Sequence, residues 1–161
     1  MTALPTGPQI VACDGLLTVA RGEIGVRELR GDADNPRVQE YQRTTNKSPL
    51  YIRDSVPWCS SFANWVAKQA GLPGTGSAAA RSWLKWGEPC TMPVPGCVVV
   101  FSRPPFPGSG HVAFFVRRVG DLIFVCGGNQ SNRVAVLPYP ARRLLGYRVP
   151  SVAMITPEAT S

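Results

Sequence analysis

The hydrophobic pattern changes period once, near Pro95, and that change constrains the fold more than any other feature of the chain. Before it, apolar residues recur at helical spacing; after it, they come in short runs bounded by Gly, Pro and Asp. The clearest helix is Cys59–Ala70, where Cys59, Phe62, Ala63, Val66, Ala67 and Ala70 form one amphipathic stripe. Gly71 ends it and Pro73 follows. Gln9–Ile24 predicts an earlier helix stopped by Gly25, and Asn35 caps a short one from Pro36 to about Thr44. Residues 45–57 read as a loop, and Thr75-Gly76-Ser77 opens a further helix reaching about Trp86. Strands are expected at Gly96–Phe101, His111–Val116, Leu122–Cys126, Val134–Leu137 and Leu144–Val149, with residues 151–161 a tail. Helices first and strands second predict an α+β fold with a largely antiparallel sheet, in one domain over 1–161 with its core at about 9–150.

Charge and cysteine content narrow the setting. Lys plus Arg number 17 against 10 Asp plus Glu, a net +7, and a basic surface favours polyanionic surroundings. The cations are scattered, with no polybasic block or helix-turn-helix signature, so nucleic acid is not the expected partner. No apolar run approaches the roughly 18 residues of a membrane span, and the N-terminus lacks a signal-peptide pattern. Synthesis in the cytoplasm is expected, without stable membrane insertion. The five cysteines are odd in number and show no disulfide framework, so free thiols are expected. A single histidine and no Cys-x-x-Cys pair argue against structural zinc.

Three segments carry candidate chemistry. Cys59 opens its helix, where unpaired backbone N–H groups and the positive end of the dipole favour a thiolate and can receive an oxyanion. It also lies on the helix's apolar stripe, which suits a buried thiol. His111, the only histidine, follows the Pro107-Gly108-Ser109-Gly110 loop at the start of a strand. Gly127-Gly128-Asn129-Gln130-Ser131-Asn132 follows the next strand and offers a carboxamide to orient an imidazole. In an antiparallel hairpin the start of one strand lies beside the end of the next, so His111 and residues 127–130 should be neighbours.

These segments resemble the NlpC/P60 and CHAP cysteine peptidases, a superfamily of peptidoglycan hydrolases with a papain-like core. The resemblance rests on Val56-Pro57-Trp58-Cys59-Ser60-Ser61-Phe62-Ala63-Asn64-Trp65-Val66, Pro95–Phe101, Gly110–Phe115 and Gly127–Ser131. Residues 74–83, Glu23–Glu28 and Asn35-Pro36-Arg37 are similar to a small phage- and prophage-type subfamily. Cys97 stands where the family often has an acidic residue.

The resemblance implies Cys59 as nucleophile, His111 as general base, and Asn129 as the orienting residue with Gln130 as the alternative. It implies a Cys59 thiolate paired with a His111 imidazolium, attacking either the N-acetylmuramoyl–L-alanine amide or a bond within the stem peptide. Trp58, Ser60 and Trp83 are the candidate substrate contacts, although Trp58, Trp83 and Trp86 suit a core equally well. Arg53 and Arg81 are basic residues that either meet substrate carboxylates or serve solubility. Asp32 and Asp34 alternate as calcium ligands do in related enzymes, but two carboxylates make a poor site, so no metal and no cofactor is expected. A monomeric phage-type lysin acting on peptidoglycan, at the cell wall or periplasm after release or delivery, is the implied protein. A papain-like acyltransferase, deamidase or toxin effector, and a non-catalytic wall-binding or virion module, stay open.

Overall fold

Two capped helices lead the chain in the computed structural model, which describes residues 4–155. Helix α1 (Gly7–Gly22) starts at Thr6, whose hydroxyl accepts from the Gln9 amide while the Gln9 side chain returns to the Thr6 amide. Helix α2 (Pro36–Arg43) is capped by Asn35 and starts with proline. Helix α3 (Cys59–Gln69) differs: Trp58 stands at its cap position and no side chain caps it. Residues 80–85, expected as part of an α-helix, form a 3₁₀ segment.

Six strands follow: β1 (Glu88–Cys90), β2 (Val98–Arg103), β3 (Phe106–Val119), β4 (Leu122–Gln130), β5 (Arg133–Pro140) and β6 (Leu144–Val149). They form one antiparallel sheet in the order β1-β6-β2-β3-β4-β5. The α+β arrangement with N-terminal helices on an antiparallel sheet is therefore as expected. Strand β1 was not expected, and β3 begins five residues before His111, in a segment expected to be loop. The five thiols are free and buried, as the odd count suggested. Residues 152–155, assigned to the tail, form a helical turn, α4, with Met154 and Ile155 packed on the core; 156–161 lie outside the described residues. No described helix is long and apolar enough to cross a membrane.

The two sheet faces bury different cores. Val98, Val100, Val112, Phe114 and Cys126 meet Leu16, Phe62, Val66 and Trp83 on the helical side. Val99, Phe101, Ala113, Phe115, Ile123 and Val125 form the other core. Tyr139 of β5 stacks 4.9 Å from Phe101 of β2, although two strands separate them in the sheet. The sheet is thus rolled with this second face inward, as continuous strand twist allows. The outer edge of β5 is covered near its start by residues 25–28, which exchange backbone hydrogen bonds with Val134 and Asn132.

Candidate active site

The first residue of α3 meets the inner strands where the β3–β4 ladder ends. That ladder runs from Val119↔Leu122 to Phe114↔Cys126 and goes no further. Beyond it the amides of Val112, of Ser60 and of Cys59 itself favour the charged form of the Cys59 sulfur. The missing side-chain cap on α3 leaves its first amides for that purpose. Gly128 permits the approach: a Cβ there would lie 2.6 Å from Phe62 Cβ and 2.8 Å from Trp58 Cζ3.

The segment before Cys59 is held by buried polar groups. Gln42 donates to the carbonyls of Arg53 and Val56 at 3.1 and 2.7 Å, and its oxygen accepts from the Ser61 hydroxyl at 2.8 Å. Asp54 accepts from the amides of Leu29 and Asn35 at 2.8 and 2.9 Å. The Trp58 indole donates to Glu28 at 2.9 Å and stacks on Tyr41. Nothing in the local sequence pattern marks Gln42, Asp54 or Glu28 as supports; their partners are distant along the chain.

His111 faces the rolled interior at the end of this gap. Its Nε2 lies 2.9 Å from Gln130 Oε1. The Gln130 amide nitrogen donates to the carbonyls of Ala135 and Val125 at 2.8 and 3.3 Å, so its oxygen must face the ring. His111 therefore carries its hydrogen on Nε2 and leaves Nδ1 as the basic nitrogen. Tyr139 stacks on the imidazole at 4.8 Å, and Phe101 lies 6.5 Å to its side. Gly127 keeps the contact open, since a Cβ there would lie 2.7 Å from Ala113 Cβ and collide with the Gln130 carboxamide.

Gln130, not Asn129, is thus the carboxamide on His111. Strand β4 carries a bulge between Gly127↔Ala135 and Gln130↔Arg133, so Gly128 and Asn129 together oppose Val134. Asn129 takes the left-handed conformation (φ 56°), and the slip of one residue turns Gln130 inward. Ser131 and Asn132, both at positive φ, close the hairpin.

The aromatic and serine contacts expected for substrate belong to the core instead. Trp58 and Trp83 have no exposed surface. Ser60 is buried, donating to the Ser77 carbonyl at 2.7 Å and accepting from the Trp83 indole at 2.9 Å. Their polar atoms fasten the loop around 77 to α3, which is why an aromatic cluster sits near Cys59 with its indoles in the core. Arg53 pairs with Asp34 at 3.0 Å, and Asp34 also accepts from the Asp54 amide. The Arg81 Nε donates to the Ser109 carbonyl at 2.8 Å. Tyr139 stacks on His111 and Arg143 lies over Tyr139; neither position follows a period in the sequence.

Electrostatics favour a neutral resting pair. Burial pushes the Cys59 thiol up, against the lowering effect of the Val112 and Ser60 amides and of Arg103. Burial also pulls His111 down to about 4, against the Gln130 hydrogen bond and with help from Arg103 and Arg143. Both shifts favour the neutral thiol and imidazole over the thiolate–imidazolium pair that the resemblance implies. Cys59 and His111 retain 6% and 5% of their surface, so both are buried.

The depressed His111 value has a consequence for stability. An unfolded histidine takes its proton near pH 6.5, whereas the folded one waits until about 4. Between these values the unfolded chain binds more protons, so stability falls as the pH drops, by roughly 3 kcal/mol in all. Urea unfolding at pH 7.5 and 4.5 is expected to show this loss, and His111→Gln is expected to lose less. Equal losses in both proteins would contradict the buried neutral imidazole.

With this geometry in hand, residues 51–129 match the family model of the CHAP domain. That match is consistent with the NlpC/P60–CHAP superfamily, and the α+β arrangement is consistent with a papain-like CHAP domain. Activity in this family is generally of the peptidoglycan-hydrolase type, carried by a cysteine and a histidine. A search of curated proteins found no match.

Proposed function

We propose that the chain is a thiol-dependent hydrolase of an amide bond in cell-wall peptide, with Cys59 as nucleophile, His111 as base and Gln130 as the residue that orients it. The observation that carries this reading is the Gln130–His111 hydrogen bond, which leaves Nδ1 as the base, with the next amide in the chain, that of Val112, acting on the Cys59 sulfur. On attack, the Cys59 proton passes to His111 Nδ1 as the sulfur bonds to the scissile carbonyl carbon. Amides at the start of α3 stabilise the oxyanion, a donor of this type contributing about 3 to 4 kcal/mol. His111 then gives the proton to the leaving amine, and a water deprotonated by Nδ1 opens the thioester and restores the thiol. The base thus acts from a neutral pair, in keeping with burial of both groups.

The protein acts on this reading as a monomeric single-domain enzyme of the phage-lysin type, reaching the wall after release or delivery, with no nucleic-acid partner. The bond cut is either the N-acetylmuramoyl–L-alanine amide or one within the stem. Digestion of purified peptidoglycan, followed by mass spectrometry of the soluble products, tests both points. Intact stem peptides freed from glycan indicate an amidase, and shortened stems an endopeptidase. Unchanged muropeptides would overturn the reading in favour of another amide substrate or a binding module.

A further inference from the structure

Two cations stand beside the Cys59–His111 pair without carboxylate partners. Arg143 is fixed by its Nε, which donates to the Ser102 carbonyl at 2.9 Å. Its guanidinium lies over the Tyr139 ring with Cζ 5.4 Å from the centroid, and that ring is stacked 4.8 Å from the imidazole. Arg103 is exposed at the end of β2, two residues beyond Phe101. Among the described residues neither arginine forms a salt bridge, whereas Arg37 and Arg53 both do. The contacts through Tyr139 place Arg143 near His111; in line with this, both cations disfavour a charged imidazole, and Arg103 favours a charged sulfur.

The arrangement suits an anion. A guanidinium held through Nε by a backbone carbonyl and backed by an aromatic ring keeps its terminal N–H groups, and these match a carboxylate in geometry. Tyr139 is half-buried and contacts both the guanidinium and the imidazole. The two spacings of 5.4 and 4.8 Å in series hold the guanidinium carbon within roughly 10 Å of the ring, the reach of about three extended residues.

We propose that Arg143 and Arg103 form an anion subsite, and that the preferred substrate carries a free carboxylate within one or two residues of the amide that is cut. This rests on the hydrolase reading and narrows it to stem peptides whose carboxyl groups are not amidated. The cations meet the carboxylate in the bound complex, so they contribute to recognition and not only to the approach of a basic protein to an anionic wall.

The test uses two soluble stem peptides that are identical except that the side carboxyl groups are free in one and amidated in the other. Wild type is expected to show kcat/KM about 10- to 100-fold higher on the free acid, the range for hydrogen bonds to a charged group. Arg143→Gln and Arg103→Gln should each shrink that ratio, and the double variant should bring it near one. Arg117→Gln removes an equal charge that stacks on Phe124 instead, and should leave the ratio intact. Calorimetric binding to Cys59→Ala should show the same preference without turnover. Equal kcat/KM on the two peptides would overturn the anion subsite while leaving the hydrolase intact. Failure to cleave either peptide or whole peptidoglycan would overturn the hydrolase reading; a binding preference in Cys59→Ala that survives in the double arginine variant would overturn the assignment to these residues.

Discussion

Cys59→Ala is expected to lower turnover of peptidoglycan by about 10⁴-fold or more while the protein stays folded. The size of the effect follows from chemistry: alanine offers nothing to bond the carbonyl carbon, and the remaining amides at the start of α3 only bind. The modest effect on stability follows from packing. The side chain is small, so alanine removes one buried sulfur and leaves the rest of the helix's apolar stripe in place. Cys59→Ser should be nearly as inactive, because burial that already raises a thiol disfavours an alkoxide far more. Initial rates of muropeptide release, with urea unfolding as the control for folding, measure both quantities. Retained turnover in a folded Cys59→Ala protein would remove this sulfur from the mechanism.

That prediction was reachable from sequence because its structural basis is local. The apolar stripe that defines α3 also fixes where the helix begins, and the strands at 98, 112, 122, 134 and 144 carry their own apolar runs. Features that depend on distant partners were not legible. Glu88-Pro89-Cys90 has no strand pattern, and it is a strand because Val149, Arg148 and Tyr147 pair with it. Phe106-Pro107-Gly108-Ser109-Gly110 looks like loop, yet Phe106 and Gly110 pair with Arg103 and Ser102 of β2. Trp58 and Trp83 have the same composition whether they line a groove or fill a core; Glu28 and the Ser60 hydroxyl decide it by satisfying their indole N–H groups in the interior. Arg143 reaches the site only because the sheet rolls far enough to bring Tyr139 over His111.

The β4 bulge is the sharpest case, and it yields the second large expected effect. In an unbroken strand, side chains at 127 and 129 share a face, so alternation from Cys126 would present Asn129 to His111. The extra residue opposite Val134 reverses that parity after Gly128. Gln130→Ala removes the only side chain hydrogen-bonded to Nε2 among the described residues, and frees the ring to turn and to exchange tautomers. A loss of about 10²-fold or more in kcat is expected, with KM little changed, because the residue aligns the base without touching substrate. Removing the hydrogen bond that opposes burial should also move the acid limb of the pH profile further down. Gln130→Glu, which keeps an acceptor on the ring, should recover part of kcat and shift that limb upward, a response that a purely structural role would not produce. Asn129→Gly deletes the other carboxamide at a backbone angle that glycine adopts freely, so its rate should stay within about threefold of wild type. Steady-state kinetics across pH on one soluble muropeptide separates the two residues. The opposite ranking, with Asn129→Gly inactive and Gln130→Ala active, would mean that β4 runs without its bulge in the working enzyme and that the imidazole is held by the neighbouring amide.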